Sequence, residues 1–184
     1  IAGAGTVATS LVKAYAAALP GLERISVWSR RPEQAQQLVA RLGDRGLDLA
    51  AVSDLQAAVG EADIVSCATM ARQPVILGDW VRPGTHVDLI GAFKADMREA
   101  DDALMAKAAV FVDSRETAGH IGELIAPIAS GAITADSVLG DLYDLVKPAA
   151  RRRRSAHDIT LFKNGGGAHL DLMIASWMVK VMAA

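Results

Sequence analysis

The opening stretch IAGAGTVA (residues 1–8) decides the fold, because it reads as the end of a strand that runs through a glycine turn into a helix. It matches the pattern G-x-G-x-x-A. Gly3 permits the tight turn, Gly5 lets the backbone approach a pyrophosphate, and the small Ala8 lets helix and strand pack closely. The N–H groups and the positive dipole end of the helix face such phosphates. The stretch predicts a dinucleotide site; the alternative is a glycine turn that only packs a helix on a sheet.

Helices and strands alternate through the next hundred residues. Apolar residues at helical spacing predict helices over residues 7–19, from Pro32 to Gly43, and over residues 99–107. Another helix is predicted to cover Leu55, Ala58 and Val59, with Ser53 as its cap. Short apolar runs predict strands at residues 24–29, 47–52, 63–69, 86–90 and 109–113. Continuous apolar strands alternating with helices are typical of a parallel sheet. We therefore predict a Rossmann-type α/β fold, a doubly wound parallel sheet with helices on both faces.

The regular alternation of helices and strands ends after Asp113. Residues 116–131 are irregular with one helical segment, and a helix is predicted over residues 136–146. The basic run Arg151–Arg154 is interpreted as an exposed loop, because no aromatic residues interleave with it. A strand at residues 159–162, a turn at Gly165–Gly167 and a long apolar helix over residues 168–182 complete the pattern. The apolar residues of that helix suggest that it packs against more than its own sheet.

Composition excludes several classes of protein. The 184 residues are 52% hydrophobic and carry a formal net charge of -2, so disorder is excluded and neither nucleic acid nor an anionic membrane is the expected partner. Every apolar run is shorter than the roughly 18 residues that span a bilayer. The single cysteine, Cys67, fits a reducing compartment, and the four histidines lack metal-ligand spacing. We expect a cytoplasmic protein without a metal.

The residues after the second predicted strand bear on cofactor choice. An NAD site usually presents Asp or Glu there to the ribose hydroxyls, whereas this sequence reads Trp28-Ser29-Arg30-Arg31. A hydroxyl and two guanidinium groups suit the extra 2′-phosphate of NADP, since arginine forms paired, charge-assisted hydrogen bonds with phosphate oxygens. We therefore expect NADP(H) to be preferred over NAD(H). The alternative is that one arginine is merely solvated.

Four blocks in a fixed order carry a family resemblance. They are GAG (3–5); ADIV (62–65) with AT (68–69) and PV (74–75); IGAF (90–93) with MREAD (97–101); and ITLFK (159–163) with Gly165, Ala168 and Asp171. Together they resemble the ornithine cyclodeaminase/mu-crystallin family over essentially the whole chain. The resemblance implies that residues 1–184 form the cofactor domain of a two-domain protein. An N-terminal domain outside this chain would supply much of the substrate site and the contacts of a homodimer, and the short opening strand agrees with chain upstream.

The third block separates the activities of the family. Cyclodeaminases carry an aspartate two residues after the glycine that matches Gly91, and here that residue is Phe93. An apolar ring cannot shuttle a proton or orient a water, which argues against ornithine cyclodeamination. The block instead resembles the ketimine reductases that reduce Δ1-pyrroline-2-carboxylate or Δ1-piperideine-2-carboxylate to L-proline or L-pipecolate. The alternatives are an amino-acid dehydrogenase or cyclodeaminase of the same family, or a mu-crystallin-like protein that uses NADPH to complete a binding pocket.

The candidate site residues follow from these patterns. Phe93 is a candidate wall of a dry active site or a core residue, and Glu99 faces the substrate or a basic partner, or else only favours a helix dipole. The turn at residues 69–71 and Gly91 lie at strand ends where ligands of such sheets bind, and Lys163 and Asn164 lie where the resembling family closes over its cofactor. The cofactor-binding candidates are Gly3, Ala4, Gly5, Thr6, Val7, Ser29, Arg30, Arg31, Thr69, Met70, Ala71, Gly91, Lys163 and Asn164.

Overall fold

A computed structural model describes residues 1–43, 47–147 and 153–183. Its strands are β1 (Arg24–Val27), β2 (Asp48–Ala51), β3 (Ile64–Cys67), β4 (His86–Leu89), β5 (Ala109–Val112), β6 (Val138–Gly140) and β7 (Thr160–Lys163). Its α-helices are α1 (Thr6–Ala18), α2 (Pro32–Leu42), α3 (Leu55–Glu61), α4 (Asp102–Lys107), α5 (Arg115–Ala118), α6 (Gly122–Ala129), α7 (Leu142–Leu145) and α8 (Ala168–Met182). Two short 3-10 helices cover Gly78–Trp80 and Ala135–Ser137.

Ala2 joins the strands into one parallel sheet. It bridges Trp28 after β1 on one side and Cys67 of β3 on the other, and its N–H donates to the carbonyl of Ser66 at 2.8 Å. The resulting order is β2-β1-Ala2-β3-β4-β7-β5-β6, and every described pair is parallel. The chain turns in opposite directions on the two sides of Ala2. That reversal is the switch point at which open α/β sheets bind ligands.

Helices cover both faces of the sheet, which confirms the predicted doubly wound fold. Val27 of β1 packs with α1 and α2, whereas Cys67 of β3 belongs to a larger core that includes residues of α3 and α4. The two residues point to opposite faces, because Cys67 shares a face with Trp28, the neighbour of Val27. Each face therefore has its own apolar core.

Four details of the secondary structure differ from the predictions. The predicted helix over residues 136–146 is wrong, because residues 138–140 form the strand β6 against β5 and Asp141 caps the separate short helix α7. The helix predicted from Glu99 begins only at Asp102, because the Asp101 carboxylate accepts from the N–H of Leu104 as the N-cap. The cap of α3 is Asp54 and not Ser53, and residues 115–129 hold two helices, α5 and α6.

The basic run lies only in part within the described residues. Arg151 and Arg152 fall outside them. The side chain of Arg153 donates to the carbonyl of Gly84 and, at 3.2 Å, to the hydroxyl of Thr160. One arginine of the run therefore ties the loop to the amino end of the sheet.

Helix α8 is apolar yet has no buried residue. Eight of its large apolar side chains are at least half exposed: Leu172, Met173, Ile174, Trp177, Met178, Val179, Val181 and Met182. Within the described residues, no helix is both long and apolar enough to cross a membrane. An exposed apolar face of this kind marks a contact surface.

Candidate functional site

The glycine turn before α1 leaves open space at the start of the helix. Gly3 has a φ of 120°, and a Cβ there would lie 2.5 Å from the carbonyl oxygen of Ala68, so only glycine fits. A Cβ on Gly5 would meet nothing within 4 Å. Within the described chain no side chain caps α1, so the first-turn N–H groups, including those of the exposed Thr6 and Val7, face that space. This cradle fits a diphosphate.

The residues after β1 present two cations beside a hydroxyl. Ser29 is buried, and its Oγ accepts from the N–H of Arg31 at 3.4 Å. Arg30 and Arg31 are exposed, and Arg31 is the N-cap residue of α2. Neither guanidinium group has a hydrogen-bond or ion-pair partner among the residues that the structure describes, so both could reach a phosphate in front of the turn.

Glu99 ties together the turns that follow β3 and β4. Its side chain is fully buried; Oε1 accepts from the N–H and the hydroxyl of Thr69, both at 2.7 Å. Oε2 accepts from the N–H groups of Gly91 at 2.7 Å and Ala92 at 3.3 Å. The turns touch so closely that a Cβ on Gly91 would lie 1.9 Å from the carbonyl oxygen of Thr69. With its oxygens taken by these donors, the Glu99 carboxylate positions the backbone and does not face outward.

Apolar side chains project beside these turns. Phe93 is 51% exposed and Met70 is 74% exposed, and the ammonium of Lys94 lies 5.4 Å from the centroid of the Phe93 ring. Core packing, the alternative interpretation of Phe93, is therefore not what the described residues show. The ring stands at the edge of the sheet, next to Gly91, where an apolar wall would face a bound ligand.

Lys163 and Asn164 lie at the end of β7, at the same sheet edge. The Lys163 side chain is fully buried, and its Nζ donates to the carbonyl of Leu89 at 3.1 Å. Burial lowers the pKa of Lys163, and the carboxylates of Glu123 and Glu99 oppose that shift. The ammonium is thus turned inward, which leaves the half-buried Asn164 and the backbone as the groups that could contact a cofactor.

Two buried carboxylates at this edge escaped the sequence patterns. Glu123 of α6 accepts from the N–H groups of Glu99 at 2.8 Å and Ala100 at 2.9 Å. Asp113 directly follows β5 and accepts from the N–H of Gly166 at 2.9 Å, before α8. The position of Asp113 at a strand end was a usable signal, whereas nothing local distinguishes Glu123 from an exposed helical glutamate.

One cavity lies at the opposite edge of the sheet. A cavity of about 490 Å³ opens at the amino edge of the sheet, near Tyr15, Arg24 and Asp63. Because ligands of open α/β sheets bind at the carboxyl edge, this cavity is not the candidate site. Among residues 1–43, 47–147 and 153–183, no group of three or more His, Cys, Asp or Glu is placed to hold a metal ion.

Glu123 predicts a pH dependence of stability. Burial raises its pKa from 4.5 to about 7. The folded state therefore binds more protons than the unfolded state between these values, and the free energy of unfolding falls as the pH rises through them, by up to about 3 kcal/mol. We expect urea unfolding from about pH 5 to about pH 8 to show this fall in the wild type and not in Glu123→Gln. Equal slopes in both proteins would contradict the assignment. Asp88, whose pKa burial also raises, contributes equally to both.

Comparisons with known proteins place this geometry in context. The sequence profile of the ornithine cyclodeaminase/mu-crystallin family matches residues 1–183. Delta(1)-pyrroline-2-carboxylate reductase from Paracoccus denitrificans (strain Pd 1222) is 78% identical over 184 residues, which are 100% of this chain and 58% of that relative.

Two solved structures share the fold. The Thermococcus litoralis Delta(1)-pyrroline-2-carboxylate reductase in complex with NADH and L-proline matches with a TM-score of 0.86 and 30% identity, over 95% of this chain and 55% of that one. An archaeal alanine dehydrogenase dimer with bound NAD matches with a TM-score of 0.88 and 27% identity, over 95% of this chain and 54% of that one. The chain therefore spans little more than half the length of each of these relatives.

Proposed function

The chain belongs to the ornithine cyclodeaminase/mu-crystallin family, and on that premise we propose that it is the cofactor domain of an NADPH-dependent reductase of a cyclic 2-imino acid. The substrate class is Δ1-pyrroline-2-carboxylate or Δ1-piperideine-2-carboxylate, and the product is L-proline or L-pipecolate. The single observation that carries the proposal is the 78% identity to a Delta(1)-pyrroline-2-carboxylate reductase over the full length of this chain.

The described residues suit each part of a dinucleotide. The open N-terminus of α1, with Gly3, Ala4 and Gly5 before it, would hold the pyrophosphate. The turn at Thr69–Ala71 and Gly91 lie at the carboxyl ends of β3 and β4, where the nicotinamide end is expected. When bound there, the reduced nicotinamide supplies the hydride for the imine carbon.

In this proposal, residues of this chain orient the nicotinamide and shield it from water. Glu99 fixes the two turns against each other, so the backbone that would face the nicotinamide is set before binding. The exposed Phe93 ring and the exposed Met70 side chain would exclude water from the nicotinamide ring, which protects the reacting groups from competing reactions. In this proposal Phe93 shapes the dry wall, while Glu99 is a positioning residue.

The preference for NADPH rests on Ser29, Arg30 and Arg31. The solved relatives carry NADH or NAD, so the preference is proposed for this chain on its own residues. We expect Arg30→Ala and Arg31→Ala to raise the KM for NADPH, by about tenfold or more for the arginine that binds the phosphate, because a charge-assisted hydrogen bond is lost. The KM for NADH should stay unchanged. Initial rates with both cofactors measure this, with the exposed Arg24→Ala as the matched control. Equal effects on both cofactors would contradict phosphate binding.

A second function is favoured by one observation. The archaeal alanine dehydrogenase shares the fold at a TM-score of 0.88, so oxidative deamination of an amino acid is the competing reaction. Cyclodeamination is disfavoured, since Phe93 offers no proton-transferring group at the edge of the site.

The test of the proposed function follows the absorbance of NADPH with the complete protein, which falls when an imine is reduced and rises when an amino acid is oxidised. Parallel samples receive Δ1-pyrroline-2-carboxylate, Δ1-piperideine-2-carboxylate, L-alanine with NADP, or L-ornithine with an ammonia assay. Turnover with either imine and no ammonia from ornithine supports the reductase. Turnover with L-alanine alone moves the assignment to a dehydrogenase, and tight ligand binding without turnover to a binding protein.

The exposed face of α8 suggests where the remainder of the protein docks. We propose that its apolar side chains, including Trp177 and Met178, pack against a substrate domain outside this chain within a cytoplasmic homodimer. Their exposure in the described residues and the 58% coverage of the Paracoccus relative support this proposal.

A further inference from the structure

A series of hydrogen bonds connects Glu123, through Glu99, to the candidate site. Glu123 accepts from the backbone of Glu99 and Ala100, and the Glu99 carboxylate accepts from the backbone of Thr69 and Gly91. We propose that Glu123 is a positioning residue for the nicotinamide end of the site. It holds the segment that carries Glu99, and through it the two turns. This inference rests on the proposed cofactor role of those turns.

The packing around Glu123 leaves that segment little freedom. The preceding residue, Gly122, lies so close that a Cβ would be 2.4 Å from the carbonyl oxygen of Met97 and 2.5 Å from that of Ala95. The N–H of Gly122 also donates to the carbonyl of Lys94 at 3.0 Å. The start of α6 thus fixes residues 94–100 at both ends, by direct backbone contact at one end and by the Glu123 carboxylate at the other.

The charge of Glu123 is held among other buried groups. Among the described residues, the titratable groups whose charge interacts with that of Glu123 are Lys163 of β7, Glu99 and the thiol of Cys67 in β3. All four side chains are fully buried. The Lys163 cation offsets part of the negative charge. In its ionised form Glu123 therefore acts through its two acceptor oxygens, each of which binds one backbone N–H.

Replacing Glu123 with glutamine changes the hydrogen bonding at this position but keeps the packing volume. Glu123→Gln keeps the volume and one acceptor oxygen, but it turns the other oxygen into an NH2 donor that faces an N–H group. The N–H of Glu99 or of Ala100 loses its partner in a buried place, and the segment shifts to relieve the conflict. Because the segment carries the Glu99 carboxylate, the shift is passed to the turns at Thr69 and Gly91.

The experiment compares wild type, Glu123→Gln and the exposed control Glu61→Gln in the complete protein. The dissociation constants of NADPH and of 2′-phospho-ADP-ribose, which lacks the nicotinamide, are measured, together with kcat for the imine. Since one buried hydrogen bond is lost, we expect Glu123→Gln to weaken NADPH and lower kcat by about fivefold or more. Its affinity for 2′-phospho-ADP-ribose should stay within about twofold of the wild type, because that ligand does not reach the turns. Amide hydrogen exchange at Gly91 and Ala92 should speed up in this variant alone.

The outcomes separate this proposal from the proposed function. If Glu123→Gln weakens the binding of NADPH and of 2′-phospho-ADP-ribose equally, the substitution has loosened the whole site and the proposed role is wrong. Unchanged hydrogen exchange at Gly91 and Ala92 would also overturn it, because Glu123 would then have no effect on those turns. If wild type binds NADPH but turns over no imine, the reductase assignment fails while the affinity ratio still tests Glu123. If wild type binds no NADPH, the hydrogen-exchange rates at Gly91 and Ala92 alone test the role of Glu123.

Discussion

Replacing Gly5 with aspartate is expected to abolish NADPH binding and leave the fold as stable as before. Gly5 is the N-cap residue of α1, its φ of -84° and ψ of -166° suit any residue, and its Cβ position is open. Aspartate is a preferred N-cap residue and its charge suits the helix dipole, so the free energy of unfolding should stay within about 1 kcal/mol. The same carboxylate occupies the space proposed for the pyrophosphate and repels it, which should weaken NADPH by about 100-fold or more.

Fluorescence titration with NADPH and urea unfolding measure the two effects in one protein. Gly21→Asp is the matched control, because Gly21 lies in the turn after α1 and its Cβ position is equally open. Binding by Gly5→Asp within a few-fold of the control would show that the phosphates lie elsewhere. Loss of stability in Gly5→Asp would mean that the open space is needed by the fold itself.

The elements that local chemistry determines were predictable. The turn at residues 3–8 follows from glycine geometry, and α2 follows from Pro32 at its start and Gly43 after its end. The positions of strands β3, β4 and β5 follow from short runs rich in buried apolar residues, although β3 is shorter than predicted. The carboxyl ends of these strands lie at one edge in any parallel sheet, and this placed Thr69 and Gly91 near each other before the structure did.

Features that depend on tertiary contacts were not predictable in the same way. Residues 138–140 form a strand only because β5 offers an edge to pair with, and an apolar run of that length is equally consistent with a helix. The sequence interpretation had Glu99 either face the substrate or a basic partner, or favour a helix dipole from the first turn. Its buried position between two turns is instead created by Thr69, 30 positions away, and by Glu123. Buried carboxylates of this kind look like surface residues until their donors are known.

Replacing Glu99 with alanine is expected to have the largest effect on stability. The substitution leaves four donors without their acceptor, namely the N–H groups of Thr69, Gly91 and Ala92 and the Thr69 hydroxyl. Each buried donor that loses its partner costs about 1–3 kcal/mol, and water entering the space left by the side chain recovers part of that. We expect the free energy of unfolding to fall by about 3 kcal/mol or more and turnover to be lost.

A graded series distinguishes this cause from simple truncation. Thr69→Val removes the hydroxyl, which is one of the four donors to Glu99 and also the acceptor of a long hydrogen bond, 3.3 Å, from the N–H of Ala71. It leaves the other three donors paired with Glu99 and should cost only about 1 kcal/mol. Glu99→Gln keeps one acceptor oxygen and should lie between that variant and Glu99→Ala, whereas the exposed Glu61→Ala should change stability by less than about 0.5 kcal/mol. Urea unfolding of the complete protein gives all four values. If Glu99→Ala differs from Glu61→Ala by less than about 1 kcal/mol, the donors find other partners and the turns do not depend on Glu99.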